Sequence, residues 1–525
     1  MNISRREFLS GSAAAFGFGA FGGWRGVLTA AAAQIPNMPP DLTIGIISDI
    51  HIQYSRKGAK ETFHGADVFR KTLEWFRDNG VDAVTVSGDL ADHGLLCELE
   101  EIARIWNSVF PGGKAPDGRK VERLFVYGNH DFEGYKYGGF AKKLYGENYA
   151  PHVIRTDLGA AWRRAFDEDY SDVWRKDVKG YTFVGAHWTA DRCRGKEEQG
   201  VPQGAEWLKA NARLLDPSKP FFYLQHPPAK NTCHGPWLWG HDDGRLVEAL
   251  ASVPNAVVMT GHSHAPINSE CAIWQGAFTS IDVGSLKYTG LELGGVGDIG
   301  RENDRNPGAA RAEDPWRIMG RLDTGDGHQG MIARVYGGKI VFERRDFGNM
   351  ELLGPDWVVP VPVKESAPFA FAPRAAASRA PEFASGAALS VRMATGRNRG
   401  GGNVKSVNQP VLEVTIPSAS AAGRIFDYAL ELTDESGTKD ERFVLAEGMH
   451  RSPKNKRALS PTVCRLAVRR LKVSGQVRIK VLPRNSFGKS GASIETSFAV
   501  PVEQENKVEK IVPVPRCTVL DSSCQ

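Results

Sequence analysis

Cysteine is scarce in this sequence, with seven residues among 525 and no C-x-x-C pair. This content excludes a disulfide-dense scaffold and the common zinc-finger patterns. The sequence also lacks an excess of charge of one sign, since 66 Lys and Arg residues stand against 61 Asp and Glu residues, a formal net charge of +5. Such a near-balance supplies no broad basic surface, so we expect no nucleic-acid partner.

The composition is that of a folded globular protein, because 41% of the residues are apolar and 24% are charged. These fractions are atypical of a disordered chain or of a membrane protein with several spans. A length of 525 residues exceeds the roughly 100–200 residues of one domain. We therefore predict two or three domains.

The first 33 residues resemble a twin-arginine signal peptide. Ser4-Arg5-Arg6-Glu7-Phe8-Leu9 precedes a weakly apolar run with five glycines between Gly11 and Gly23, and Ala31-Ala32-Ala33 supplies small residues for cleavage. The run is too short and too rich in glycine to be a spanning helix. The resemblance implies export of the folded protein by the twin-arginine translocation machinery, a periplasmic or secreted location and no stable membrane anchor.

Residues 34–362 are predicted to form a first domain of the α/β class. Short apolar runs alternate with helical patterns, and Phe69, Leu73 and Phe76 share the spacing of one helix face. Runs of this kind are typical of strands buried on both faces of a sheet. The predicted strands are Leu42–Ile47, Ala83–Val86, Leu124–Tyr127, Phe221–Leu224 and Ala256–Met259.

A second, smaller domain is predicted after a linker at 363–380, where proline and alanine become frequent. Apolar and polar residues alternate with period two in Leu412–Ile416, Tyr428–Leu432 and Val477–Val481, which indicates antiparallel strands. We expect a small all-β sandwich at 381–503 that resembles fibronectin III or immunoglobulin-like modules, followed by a C-terminal tail at 504–525.

Five apolar strands of the first domain end in residues that can bind a metal ion. The carboxyl ends of parallel strands meet at one edge of a sheet, so these residues are predicted to converge. Imidazoles, carboxylates and an amide oxygen suit Mn, Zn, Fe or Co. The five motifs are Asp49-Ile50-His51, Gly88-Asp89, Gly128-Asn129-His130-Asp131, His226 and Gly261-His262-Ser263-His264.

In this order the motifs resemble the calcineurin-like metallophosphoesterase superfamily, whose pattern is D-x-H, G-D, G-N-H-[DE], H and G-H-x-H. The resemblance implies a layered core of β-sheets flanked by helices and a centre that holds two divalent or trivalent metal ions. Two cations about 3.5–4 Å apart acidify a shared water, and the resulting hydroxide attacks phosphorus. By position, Asp49, His51 and His264 would hold one metal, Asn129, His226 and His262 the other, and Asp89 would bridge them.

The same resemblance assigns catalytic roles to two further residues. His130 would protonate the leaving oxygen, and the carboxylate of Asp92 would pair with His130. A turn-capping aspartate is the alternative for Asp92. Purple acid phosphatases place Tyr where Asp92 stands, and serine/threonine protein phosphatases place Arg where His93 stands, so neither branch is expected.

Three other histidines are candidates for contact with substrate. His93 and His234 are candidates for binding substrate, His234 because it ends a loop that follows His226 and could cover the site. A loop packed on its own side chains is the alternative for that segment. His187 follows an apolar run without a place in the metal pattern, so a buried core histidine is favoured there.

Together these features predict an exported dinuclear phosphoesterase of small-molecule phosphate esters, with residues 34–362 as its catalytic domain. The motifs G-D-L-A-D and G-N-H-D resemble most those of small bacterial phosphodiesterases and phosphatases. A phosphodiesterase is the first hypothesis. A phosphomonoesterase with the same metal site is the alternative. A non-catalytic envelope-binding protein is disfavoured, because every motif position keeps a residue that can bind a metal.

Overall fold

The continuous apolar runs of the sequence form strands that are buried on both faces. A computed structural model describes residues 38–132, 138–191, 198–234, 242–289, 327–365, 367–398, 407–420, 425–446, 448–449 and 460–501. The predicted signal peptide and C-terminal tail lie outside these residues. Within these ranges no helix has the length and the apolar character that crossing a bilayer requires.

The catalytic domain contains two mixed sheets and two short hairpins. Its strands are β1 (Leu42–Ile47), β2 (Gln53–Lys57), β3 (Lys60–His64), β4 (Ala83–Ser87), β5 (Glu122–Val126), β6 (Val173–Val178), β7 (Tyr181–Ala186), β8 (Thr189–Asp191), β9 (Glu198–Gly200), β10 (Phe221–Leu224), β11 (Ala256–Thr260), β12 (Ile273–Gln275), β13 (Thr279–Asp282), β14 (Gln329–Tyr336), β15 (Lys339–Asp346), β16 (Glu351–Leu352) and β17 (Trp357–Pro360).

The first sheet has the order β16-β15-β14-β1-β4-β5, with β17 paired to β15, and the second has the order β12-β13-β11-β10-β7-β6. In the first sheet β1, β4 and β5 are parallel. In the second sheet β7, β10, β11 and β13 are parallel. Parallel strands send their carboxyl ends to one edge, and this edge carries the metal motifs.

The two sheets pack face to face, and helices cover both outer faces. Ile44 and Ile46 of the first sheet share one buried cluster with Phe222 and Met259 of the second. Separate apolar clusters join each sheet to its helices. The α-helices are Ala66–Asp78, Leu96–Val109, Asn129–Phe132, Gly138–Tyr145, Leu158–Phe166, Pro202–Asn211, Arg245–Leu250 and, beyond the catalytic strands, Phe371–Ala377.

The second domain is all-β, as its alternating pattern predicts. Its strands are β18 (Ser390–Asn398), β19 (Val407–Ile416), β20 (Ile425–Asp434), β21 (Lys439–Leu445), β22 (Thr462–Ala467), β23 (Gly475–Asn485) and β24 (Ile494–Val500). They form the antiparallel sheets β18-β19-β22 and β21-β20-β23-β24, with one shared apolar core. The predicted fold class, a layered α/β core followed by a small β-sandwich, is confirmed. The likeness to fibronectin III or immunoglobulin modules stays a prediction.

The sandwich contacts the catalytic domain close to the last metal motif. Ala265, directly after His264, packs in the apolar core of the sandwich. The Cys271 thiol donates to the Ser486 carbonyl at 3.1 Å. Arg374, on the helix inside the predicted linker, forms an ion pair with Glu270 at 2.7 Å. The second domain and the linker helix therefore contact and support the loop that carries His262 and His264.

Candidate metal centre

The strand ends bring all seven predicted metal ligands into one buried cluster. Their exposed fractions do not exceed 8%. Two groups of potential ligand atoms share one member, the Asp89 carboxylate. The first group is Asp49, His51, Asp89 and His264, and the second is Asp89, His226 and His262, with Asn129 beside His226.

In the first group, imidazole nitrogens and carboxylate oxygens face one another at short distances. His264 Nε2 lies 3.1 Å from Asp49 Oδ1 and 3.2 Å from His51 Nε2. His51 Nε2 lies 3.4 Å from Asp89 Oδ2. Four side chains from three strand ends thus point at one small volume.

The second group meets the first through the same oxygen of Asp89. His226 Nε2 lies 3.2 Å from Asp89 Oδ2 and 3.0 Å from Asn129 Oδ1. Asp89 Oδ2 therefore faces a histidine of each group, which is the place expected of a bridging carboxylate.

Hydrogen bonds from the far side of the rings fix which nitrogen faces the cluster. His226 Nδ1 donates to the Ser87 carbonyl at 2.7 Å, and His264 Nδ1 donates to the Tyr288 carbonyl at 3.3 Å. In neutral imidazoles the Nε2 lone pairs then point at oxygen lone pairs, which repel unless a cation lies between them. The donor set and this arrangement fit two transition-metal ions.

Charges within the cluster shift its pKa values strongly. Burial opposes ionisation of Asp89, but the neighbouring His226, His130 and His51 outweigh it and hold the Asp89 pKa below its usual range. Burial likewise disfavours protonated His226, yet the carboxylates of Asp89 and Asp49 raise its pKa to about 9. Burial, together with His226, lowers the pKa of His262 to about 3. The cluster thus keeps its carboxylates ionised and attracts positive charge.

The backbone is strained where it presents the ligands. Among the described residues, ten other than glycine have a positive φ, and five of them are predicted ligands: Asp49, His51, Asp89, His262 and His264. Such conformations are costly for residues with a side chain and concentrate at functional sites. Two motif glycines allow close approach, because a Cβ at Gly88 would overlap the His226 ring and one at Gly261 would overlap Ser48 and Asp49.

His130 lies over the first group, with its ring 4.5 Å from that of His51. Its backbone N–H donates to Asp89 Oδ1 at 2.8 Å, and its ring Nδ1 donates to the backbone carbonyl of Asp92 at 2.8 Å. Because Nδ1 is engaged, Nε2 is the nitrogen that can exchange a proton. This placement suits the proposed general acid, which stays a prediction.

The carboxylate of Asp92 lies near both His51 and His130, since one ligand atom of each of these three residues falls within 4.8 Å of the other two. Asp92 Oδ1 lies 3.1 Å from His51 Nδ1, and Oδ2 accepts from Gln53 at 2.9 Å. The cause is the register of two loops, since the Asp92 N–H donates to the Ile52 carbonyl and holds the two loops side by side. The hydrogen bond between Asp92 and His130 is made by the Asp92 main-chain carbonyl, while the carboxylate contacts His51. Pairing of the carboxylate with His130 stays a prediction.

The two histidines predicted to bind substrate lie beside carboxylates outside the predicted metal ligands. His93 Nδ1 lies 3.0 Å from Glu98, its Nε2 lies 3.6 Å from Asp92, and its ring stacks on Phe140. His234 is buried, and its Nε2 lies 3.7 Å from Asp282. Neither belongs to the two ligand groups, and their contact with substrate stays a prediction.

His187 is the buried core residue that its sequence context favours. Its Nδ1 accepts from the Tyr127 N–H at 3.0 Å, and burial, aided by Lys176, lowers its pKa to about 3. This histidine is therefore neutral.

Residues to which the sequence motifs assign no role hold the ligand loops together. Asp131 accepts backbone N–H groups of Leu90, Ala91 and Gly128, which ties the Asp89 loop to the Asn129 loop. The segment Ser285–Tyr288 donates backbone N–H groups to Ser48 and Asp49. The sequence could have indicated this segment, because it is a polar turn that follows the strand ending at Asp282, at the same edge of the sheet.

One family match covers the whole ligand cluster, from Asp49 to His264. Residues 42–266 match the family model described as Calcineurin-like phosphoesterase. No curated protein matches the chain significantly.

Similar solved structures include a dimetal phosphatase from Danio rerio, with 14% identity and a TM-score of 0.35, covering 61% of this chain and 99% of that one. A purple acid phosphatase from yellow lupin, Lupinus luteus, has 15% identity and a TM-score of 0.37, covering 62% and 55%. A predicted phosphoesterase from Streptococcus pneumoniae has 12% identity and a TM-score of 0.24, covering 61% and 97%.

The part of the chain that matches the Calcineurin-like phosphoesterase model therefore has the layered α/β fold and carries the ligand cluster. The predicted enzyme class, a metal-dependent phosphoester hydrolase, is confirmed.

Proposed function

We propose that the protein is an exported, dinuclear metal-dependent phosphodiesterase of small-molecule phosphate esters. The observation that carries the two-metal site is the position of Asp89 Oδ2, which lies 3.4 Å from His51 Nε2 and 3.2 Å from His226 Nε2. A carboxylate shared by two sets of ligands offsets the repulsion between two close cations.

Asp49, His51 and His264 would hold one cation, Asn129, His226 and His262 the other, and Asp89 both. When bound, the two cations supply charge neutralisation at the phosphoryl oxygens and a water acidic enough to serve as nucleophile near neutral pH. Zn, Mn, Fe and Co all suit this donor set.

His130 acts on the leaving group in this proposal. The Asp92 carbonyl holds the Nδ1 proton, and the Asp89 carboxylate accepts from the backbone N–H, so the ring is fixed over the cluster. Protonated Nε2 can then donate to the departing alkoxide, a contribution of roughly 10²–10⁴-fold for a general acid.

A screen of metal-free enzyme tests the proposal. The purified protein is stripped with a chelator, reloaded with Mn, Zn, Fe or Co, and assayed on matched phosphodiesters and phosphomonoesters. We expect two ions per chain and a higher kcat/KM for diesters. A preference for monoesters would establish the phosphatase alternative. Failure to bind any of the metals would overturn the whole proposal.

Export is supported by Arg5 and Arg6 and by the small residues that precede Gln34. Replacing both arginines by lysine should leave the uncleaved precursor in the cytoplasm, detected by fractionation and mass. Efficient export of that variant would exclude the twin-arginine route.

A further inference from the structure

Two aromatic residues outside the metal motifs stand at the same sheet edge as the ligands. The parallel strands of the second sheet run in the order β7, β10, β11 and β13. Trp188 follows β7, His226 follows β10, His262 follows β11, and Tyr288 lies in the segment after β13. The strand order therefore places Trp188 and Tyr288 on the two flanks of the ligand row.

Trp188 adjoins the second ligand group. Its ring centroid lies 6.0 Å from that of His226 and 5.8 Å from that of His262. The backbone N–H of Trp188 donates to the Tyr127 carbonyl at 3.0 Å, which ties its position to the first sheet. The side chain is partly exposed.

Tyr288 adjoins the first ligand group. Its ring centroid lies 4.3 Å from that of His264 and 6.4 Å from that of His51. Its carbonyl accepts from His264 Nδ1, and its N–H donates to Ser285 Oγ at 3.3 Å. Tyr288 is also partly exposed, so each half of the centre has one aromatic ring beside it.

We infer that Trp188 and Tyr288 are the specificity-determining residues, each contacting one of the two ester substituents of a phosphodiester. The inference rests on the proposed function. Phosphorus lies over the cluster during hydrolysis, and a diester extends one substituent to each side. Flat or apolar substituents gain from packing on an aromatic face, whereas a monoester has one substituent and can use only one of the two rings.

Activity of alanine variants on a substrate series tests this inference. The probes are bis(4-nitrophenyl) phosphate, methyl 4-nitrophenyl phosphate and 4-nitrophenyl phosphate. Trp188→Ala and Tyr288→Ala should each lower kcat/KM for the bis-aryl diester by roughly 5- to 100-fold, the range of aromatic stacking. All three substrates share a 4-nitrophenyl leaving group, so the variant at the ring that contacts this group should lose activity on each of them. The variant at the other ring should show a loss several times smaller on the methyl diester and on the monoester. Trp188→Phe and Tyr288→Phe should restore most of each loss.

Metal content separates substrate contact from support of the ligands. Both alanine variants should keep two ions per chain. Equal losses on all three substrates for both variants, or a loss of metal, would show that the rings hold the ligand histidines instead and would overturn the inference. Trp75→Ala is the matched control, because Trp75 packs on Phe76 and Phe347 in the first apolar cluster and should leave the substrate ratios unchanged.

The outcome for the proposed function is read from the wild-type enzyme. If it cleaves the monoester but not the diesters, the diesterase proposal fails. If it cleaves diesters while the variants keep the wild-type ratios, only the aromatic inference fails.

Discussion

The two domains bury carboxylates in different ways. In the sandwich, Asp427 is fully buried and accepts two hydrogen bonds from Arg484, at 2.8 and 2.7 Å. In the catalytic domain, Asp89 is equally buried, but its Oδ2 faces His51 and His226, whose positive charge depends on protonation. A permanent guanidinium makes the first carboxylate part of the fold, whereas imidazoles leave the second able to bind cations.

A second pair in the sandwich follows the same rule. Asp440 accepts from Arg442 at 2.7 Å and from the Lys472 N–H at 3.0 Å, and both side chains of the ion pair are 3% exposed. Burial alone therefore does not distinguish a structural carboxylate from a functional one. The chemistry of the partner does, and this difference can be tested by making the same substitution in each domain.

The largest effect is expected from Asp89→Asn. Asparagine keeps the size of the side chain but removes the charge that offsets the repulsion of two cations. Outer partners of metal ligands already cost about 10–100-fold when lost, so the bridge should cost more than about 100-fold in kcat. Metal analysis should give fewer than two ions per chain. Normal turnover with two retained ions would remove Asp89 from the bridging role.

The next effect is expected from His130→Ala and depends on the leaving group. A general acid helps a poor alkoxide leaving group but adds little for a nitrophenolate. The variant should slow alkyl esters by roughly 10²–10⁴-fold and aryl esters far less, measured as kcat under saturating metal. Equal losses on both esters would assign His130 to phosphate positioning instead.

Asp92→Asn is the matched control for His130. The substitution keeps the backbone carbonyl that accepts from His130 Nδ1 and changes only the side chain beside His51. Its effect should fall on metal affinity and be similar for alkyl and aryl esters. A leaving-group bias as in His130→Ala would show that the carboxylate itself supports the acid.

In the sandwich, Asp427→Asn should affect stability rather than chemistry. It leaves the Arg484 guanidinium buried without its full counter-charge, and breaking a buried ion pair costs about 3–5 kcal/mol of unfolding free energy. Denaturant unfolding followed by a probe in the sandwich measures the loss. Metal content and kcat per folded molecule should match wild type at low temperature. A loss of turnover in fully folded, metal-loaded protein would contradict the distinction between the domains.

The convergence of the predicted ligands could be foreseen because each motif stands at the end of a strongly apolar strand, and parallel strands bring their ends together. Which of their atoms contact one another could not be foreseen from the sequence. The contact of Asp92 with His51 depends on the register of the loops at 49–52 and 89–92, which no local pattern encodes. Trp188 and Tyr288 belong to no motif, and only the order of the parallel strands places them beside the ligands.

The linker also shows that amino-acid composition predicts only part of the structure. Proline and alanine predicted a connection at 363–380, and the structure places the helix Phe371–Ala377 within it. Alanine is the strongest helix former, and Pro373 falls in the first turn, where proline is tolerated. Composition predicted a connection at these residues but did not indicate that Arg374, on this helix, contacts the catalytic domain through Glu270.

The smallest effect concerns His93, which lies between the carboxylates of Glu98 and Asp92. Burial opposes its protonation, but the hydrogen bond and charge of Glu98 outweigh it and raise the His93 pKa above its ordinary value of 6.5. Protonation of His93 therefore favours the folded state. Its contribution is fully present below pH 6.5 and is lost as the pH rises through the raised pKa. His93→Gln should lower the unfolding midpoint of the catalytic domain by a few degrees at pH 6 and by less at pH 9, measured in chelator to exclude metal effects. A difference in unfolding midpoint that is constant or that widens with pH would show that protonation of His93 does not stabilise the folded state.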